Sequence, residues 1–348
     1  MARGAKSPLP AFSSHAKRAW FWAIGVLQKG AGSAAIQTVR QILPTPIRSV
    51  LHRLNKGLRG LPVQVRLPRR ESPPAPVRVV IYGSFADNWI PRFAAASTWR
   101  ELADVTEVLI LPDPDDEEIS SPLDPRSRTV VIPLSEDDII RCPRAFPTLA
   151  PPLRAVETLR DKVAFAAYAD AVGLAAFCPT VYRSPEEVRF PCIVKPARAE
   201  FGAGIRVFRS SEQFASFLAE EGWNLKSQIC QEFISGEVEY STHCVLKDGR
   251  LLWSCSFACE LPEGSEIRQG VTFRTMRNVT PPAAFLDVAE RILAPLEYSG
   301  PCNFDYKVPV PGRIAIFEIN PRFGGSLMLA GNLPHLQAAL RCIVDSAA

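Results

Sequence analysis

The sequence predicts a mixed α/β and α+β protein: a small parallel α/β unit over 75–150, then two α+β lobes over 151–348, behind a basic N-terminal extension over 1–74. Three observations carry this. Short β-rich runs alternate with helical material before residue 150, as in βαβ units. Beyond it, apolar runs meet at tight turns, so strands there run mostly antiparallel. Residues 1–70 hold thirteen Lys or Arg and no Asp or Glu.

That last feature makes the chain electrostatically two objects. The net charge of +4 hides it, because residues 71–348 hold 27 basic against 36 acidic residues, a net of −9. The extension has an apolar patch at Trp20–Leu27, basic helix-like stretches to about Arg59, and prolines at 62, 68, 73, 74 and 76 that read as linker. Eight apolar residues fall well short of the roughly 20 that span a bilayer. The mixture of Trp, Phe, Ile and Leu with Lys and Arg over 16–43 leaves three readings open. They are a solvated or body-packed segment, docking through 1–70 on an anionic membrane surface or a protein, and, least favoured, nucleic-acid binding. A secretory signal fits poorly, so the expected location is cytoplasmic, with peripheral membrane association as the alternative.

Hydrophobic residues at 47% give the body ample material for a core, which excludes a disordered chain. Nine cysteines, an odd number without a C-x-x-C pair, sit mostly in apolar runs and read as reduced, buried thiols. No Cys/His spacing suggests zinc, and four histidines leave little for imidazole-based metal chemistry.

In order, Val77–Gly83, Val105–Leu111 and Thr129–Pro133 read as buried strands, with helix at about 92–103. Apolar residues at helical spacing over Leu159–Val172 end at the C-capping Gly173. Pro191–Pro196 and Ile205–Phe208 form a hairpin around a glycine loop. Ser210 and Gln213 predict a capped helix to Glu221. Strands follow at Gln228–Ile234, Gly236–Lys247 and Arg250–Cys259, the last two joined by the hairpin turn Asp248-Gly249. A helix over Ala283–Ala294 precedes a final hairpin, Asn303–Val308 with Arg313–Asn320, around Pro311-Gly312.

That hairpin carries the chemistry. A two-residue turn at 311–312 sets Asp305 opposite Glu318 and Asn303 opposite Asn320, and residues two apart share a face. Asp305, Glu318 and Asn320 therefore project together, with Lys307 beside them. Phe304, Tyr306, Phe317 and Ile319 are expected on the opposite, core-facing side. Two carboxylates and an amide on one face repel unless a cation lies among them, and hard oxygen donors suit Mg²⁺. Lys195, ending an apolar strand before the loop Arg198–Gly204, is a fixed charge beside backbone N–H groups able to approach phosphates. Glu232 and Glu239 bracket a turn at Ser235-Gly236, where strand-end backbone groups and a carboxylate could hold a base and its ribose.

Read together, Asp161-Lys162, IVKP with its glycine loop, QEFISGEVEY, NFDYK and FEINPRFGGS resemble, in order, the successive motifs of the ATP-grasp superfamily, carboxylate–amine ligase type. The resemblance covers about 150–330. It implies a small α/β domain (75–150) ahead of two lobes clasping ATP, with a lid lobe at about 180–236. It further implies that Lys162 and Lys195 contact phosphates, and that Arg198, Gly202, Ala203 and Gly204 belong to the loop closing over them. Glu232 and the backbones of Phe233 and Ile234 would hold adenine, and Glu239 the ribose. Asp305, Glu318 and Asn320 would hold Mg²⁺, with Mn²⁺ as the alternative, and Arg322 would steady the transferred phosphate. Arg274 and Arg277 are weaker candidates for a substrate carboxylate. Ala203 departs from the glycine or serine common at that position.

The implied activity is ATP-dependent joining of a small-molecule carboxylate to an amine through an acyl phosphate, in metabolite, peptide or envelope biosynthesis. The alternatives are a kinase, a thiol- or carbamoyl-type ligase, or a non-catalytic nucleotide-binding protein tethered by its extension. A homodimer is a further expectation open at this point.

Overall fold

A computed structural model describes residues 63–65, 67, 73, 75–83, 89–111, 126–142, 148–199, 202–224, 227–268 and 272–347. Residues 1–62, which carry ten of the thirteen basic residues of 1–70 and the apolar patch, lie outside the described residues, and so do the docking readings placed on them. Residues 61–348 form one compact unit.

The first sheet is built from β1 (Val63–Val65), β2 (Val77–Tyr82), β3 (Val105–Leu111) and β4 (Arg128–Pro133), in the order β1-β3-β2-β4. β2 pairs in parallel with both β3 and β4. All six residues of β2 are buried, as suits a parallel strand covered on both faces. β1 pairs antiparallel with β3 and buries Val65, so this piece of the segment read as extension completes the edge of the sheet. Of the expected helix at 92–103, the structure forms α1 (Trp89–Ala94) and a 3₁₀ turn at Ala96–Trp99. α2 (Glu136–Arg141) starts at a capping box between Ser135 and Asp138.

The apolar run at 153–172 is two helices, α3 (Leu153–Leu159) and α4 (Lys162–Ala171), where the sequence predicts one from Leu159. The break is chemical: Asp161 turns its carboxylate onto the N–H groups of Val163 and Ala164 and starts a new helix. Lys162 therefore opens that helix, its own N–H donating to Ala197 O.

The second sheet holds β5 (Val181–Tyr182), β6 (Cys192–Pro196), β7 (Arg206–Phe208) and β8 (Gln228–Glu232), with α5 (Ser211–Glu221) between the last two, in the order β5-β8-β6-β7. Phe208, Phe214 and Phe217 give this lobe its own small core. The third sheet holds β9 (Val238–Lys247), β10 (Arg250–Glu260), β11 (Thr275–Val279), β12 (Gly300–Val310) and β13 (Arg313–Asn320), in the order β11-β10-β9-β12-β13 and antiparallel throughout. The Asp248-Gly249 turn has positive φ at both residues, 51° and 77°, as a tight hairpin of this kind requires. One face of this sheet packs against α3, α4 and α6 (Phe285–Leu293); the other meets the first sheet and α7 (Leu333–Ser346). All nine cysteines are free thiols and eight are buried. Among the described residues no helix is long and apolar enough to cross a membrane.

Candidate functional site

The β12–β13 ribbon sets the geometry. Asp305 pairs with Glu318 and Asn303 with Asn320, the register that the sequence predicts. Between these pairs and the turn the ladder shifts twice. Val310 pairs with Arg313, but Lys307 pairs with Ala315 and Tyr306 with Ile316. One extra residue on β12 and one on β13 cancel, leaving Phe317 unpaired in a β-bulge. The expectation that Phe317 joins the core is thereby corrected. Its ring lies on the pocket side under Lys195, whose Nζ is 5.1 Å from the ring centre, and Ile316 fills the core in its place.

A pocket opens between this ribbon and the second sheet. Lys162, Lys195, Glu239, Asp305, Glu318 and Arg322 line it, with Asn320. Of the expected loop and connector residues, Gly202, Ala203, Glu232, Phe233 and Ile234 also line it; Arg198 and Gly204 do not. Arg198 instead turns its Nε to Asp161 at 2.9 Å. Gly204 packs on Pro196 at a φ of 72°, where a Cβ would meet the proline ring at 2.8 Å.

Most of the charged groups here are paired. Lys162 Nζ donates to Ala199 O at 3.2 Å and lies 3.6 Å from Glu318. Lys195 is buried; burial pushes its ammonium down to about 8, Glu318 opposing and Lys162 adding to the effect. Arg322 spans to Glu136 at 3.1 Å and donates to Asn320 Oδ1 and Phe323 O. Glu232 is held by Arg313 at 2.7 Å and by Thr180, which keep its carboxyl below the usual range although burial pushes it up. Ile234 O accepts from Lys307.

Arg274 and Arg277, expected near a substrate carboxylate, do not line the pocket. Both are exposed: Arg277 sits on the edge strand opposite Ala258, and Arg274 pairs with Glu260 at 3.1 Å. In this region it is Arg268, on the β10–β11 connection, that lines the pocket. Its Nε lies 2.9 Å from Glu239 and its Nη2 2.7 Å from Asp305. Burial pushes both carboxyls up; Arg268 brings Asp305 below the ordinary range, while Glu239 stays above it. Three arginines within ten residues gave no sequence signal for which would turn inward.

A second feature absent from the sequence reading lies behind Asp305. Ser326 Oγ donates to Ser241 Oγ at 3.1 Å, and Ser241 Oγ donates to Asn303 Oδ1 at 2.8 Å. His243 Nε2, 2.8 Å from Ser326 Oγ, must then be the donor in that pair. Burial pushes His243 down to about 3, so the imidazole stays neutral and this chain of hydrogen bonds keeps one direction. It ties the loop at 324–326 to the strand bearing Asp305. Gly324 makes the approach feasible, because a Cβ there would meet Asn303 Cγ and His243 Cε1 at 2.6 Å. Gly324→Ala is expected to destabilise the fold by about 1–3 kcal/mol through overpacking; a denaturant melt unchanged within about 0.5 kcal/mol would contradict this packing.

The donor set fits a hard divalent cation. Two directly opposed carboxylates and an amide share one face, and the groups facing the carboxylates, Arg268 and Lys162, are cations. Among the described residues no three His, Cys, Asp or Glu side chains gather as a metal cluster; the expected set has two carboxylates and the Asn320 amide.

A sequence model of the ATP-grasp domain matches residues 160–326. These residues, just under half of the chain, match an ATP-grasp domain, and the chain has the ATP-grasp fold. Solved structures agree in fold. The D-alanine–D-alanine ligase of Bacillus anthracis is 14% identical, with 78% of this chain and 97% of that one covered and a TM-score of 0.52. An N5-carboxyaminoimidazole synthetase from Staphylococcus aureus complexed with ADP is 11% identical, covers 79% of each chain, and has a TM-score of 0.53. The L-amino acid ligase of Bacillus licheniformis is 14% identical over 78% of this chain and 75% of that one, with a TM-score of 0.50. A search of curated proteins finds no match. At these identities the likeness is one of fold, so the residues of this ATP-grasp domain must argue its chemistry.

Proposed function

We propose that the chain is an ATP-dependent ligase that activates a small carboxylate as an acyl phosphate and joins it to an amine. One observation carries the reading: the carboxylate-bearing face of β12–β13 and two buried lysines from a different sheet and helix line one pocket together with Arg322. Relatives of the same fold are named as D-alanine–D-alanine and L-amino acid ligases.

In this reading Lys162 and Lys195 bind and orient the triphosphate, and Gly202 and Ala203 lie over it. Phe233 and Ile234 flank the base and Glu239 takes the ribose. Asp305, Glu318 and Asn320 would hold Mg²⁺, which would supply neutralisation of phosphate charge. Arg322 faces the oxygens of the transferred phosphoryl group, where a fixed guanidinium acts most strongly as charge spreads in the transition state. The attacking amine then displaces phosphate from the acyl group, and exclusion of water protects that intermediate. The lobe at about 180–236 is the part placed to close over the pocket, with 75–150 as the preceding domain.

ADP release against pooled carboxylates, with and without pooled amines, tests the reading. Release that requires a carboxylate and rises with an amine supports it. Release with a carboxylate alone, unaffected by any amine, would point to a kinase.

Lys195 adds a pH signature. In the folded chain burial brings the Lys195 ammonium down to about 8, whereas an unfolded lysine keeps its proton to about 10.4. Between those values the unfolded chain binds more protons, so the penalty of burying this charge falls as pH rises through the window. A triphosphate favours the charged form. Nucleotide binding at pH 9 is therefore expected to take up close to one proton and to weaken about tenfold relative to pH 7. Calorimetry in two buffers of different ionisation heat reads the uptake, and Lys195→Met should abolish it.

A further inference from the structure

Arg268 has no part in the reaction proposed above, yet it occupies two of its binding groups at once. Its guanidinium bridges Glu239 on β9 and Asp305 on β12, at 2.9 and 2.7 Å, with a longer contact of 3.8 Å to Cys259 Sγ. The bridge is largely shielded from solvent: the Arg268 and Asp305 side chains are each 14% exposed, and Glu239 is 9% exposed. Two buried carboxylates on neighbouring strands would repel each other without a cation between them. Arg268 is that cation.

The same two carboxylates are the ones assigned above to the ribose and to the divalent cation. A guanidinium nitrogen at 2.7 Å from Asp305 Oδ1 and a metal ion on the same carboxylate compete for its charge and lone pairs. The backbone leading to Arg268 is fastened: Lys307 Nζ donates to Glu266 O at 2.7 Å, and Ser265 Oγ donates to Ile267 O at 2.9 Å. The side chain beyond it is long and flexible. Arg268 can therefore leave by rotating its own torsions while the chain that carries it stays in place.

Resting on the reading of Asp305 as a metal ligand, we propose that Arg268 is a tethered counter-cation. It neutralises Glu239 and Asp305 until a metal–nucleotide complex displaces it, so that metal and nucleotide enter together rather than one by one. Metal alone must displace a bidentate arginine and gains little. Metal with nucleotide brings a ribose for Glu239 and phosphates for the lysines, and the exchange becomes favourable. The arginine acts through the carboxylates, as a positioning residue.

The test is Mn²⁺ binding by calorimetry or electron paramagnetic resonance, with and without ADP, for the full-length wild-type chain, R268Q and R268K. In R268Q the affinity for Mn²⁺ alone is expected to rise about tenfold or more. The factor by which ADP strengthens Mn²⁺ binding should shrink correspondingly, since binding couplings are reciprocal. R268K, which keeps one charge without the fork, should fall between them. Thermal melts add a second readout: R268Q should melt lower than wild type without metal and recover on addition of Mn²⁺ alone, whereas wild type should not shift. If R268Q binds Mn²⁺ no more tightly than wild type while both bind Mn²⁺ with ADP, the exchange is refuted and the site assignment stands. If neither chain binds Mn²⁺ even with ADP, the site assignment itself fails, and this proposal with it. Should R268Q not fold, the wild-type chain decides. The Arg268 Nε–H resonance, assigned by its loss in R268K, should persist with Mg²⁺ alone and shift only with Mg²⁺ and ADP; persistence in both refutes the exchange.

Discussion

Glu318→Gln is expected to lower ADP formation by about 10³-fold while leaving the fold intact. Glu318 is the better of the two carboxylates to change. Asp305 shares Arg268 with Glu239, so removing its charge also unbalances a buried ion pair. Glu318 is 30% exposed and its cationic partner Lys162 lies at 3.6 Å, a looser contact. Glutamine keeps the volume and one acceptor oxygen but lacks the charge that a divalent cation requires of its ligand. Because the side chain is half-buried at a pocket wall, the melt should move by less than about 1 kcal/mol. ADP release at saturating nucleotide, alongside a circular dichroism melt, separates the two effects. Near-normal turnover in a folded variant would remove the metal assignment.

Arg322→Lys should also cost about 10³-fold in kcat, with the KM for nucleotide changing much less. The guanidinium makes directed contacts to Glu136, Asn320 Oδ1 and Phe323 O, and its centre lies 5.9 Å from the Trp89 ring. Those contacts hold a planar fork in a fixed orientation. Lysine retains the charge but not the fork, and it leaves acceptors unpaired. An accompanying loss of about 1–3 kcal/mol in stability is expected from those acceptors. The division between kcat and KM discriminates: equal losses in both would mean that Arg322 only shapes the pocket.

Much of the site is legible in the chain because its rules are local. Side chains alternate along a strand, and Pro311-Gly312 sets a turn, so the opposition of Asp305 to Glu318 follows from counting. Asp161 and Lys162 were recognisable as a motif, although not as the start of a helix. That start depends on a carboxylate choosing two nearby N–H groups over solvent. The bulge at Phe317 escaped the same counting. Two extra residues, one on each strand, cancel in the register, and their placement answers to Lys195 above the ring and to Ile316 in the core below.

By itself the sequence determined the order of motifs, the face on which Asp305, Glu318 and Asn320 stand, and the separation of a basic leading segment from an acidic body. Only the tertiary structure decided that β1 belongs to the first sheet, that Arg268 rather than Arg274 or Arg277 enters the pocket, and that a neutral His243 ties the 324–326 loop to the strand of Asp305. The physical reason is range. Strand alternation and helix capping act over a few residues and can be read from spacing. The counter-ion of a buried charge is whichever group the folded chain brings within about 3 Å, and for Asp305 that group lies 37 positions away in sequence.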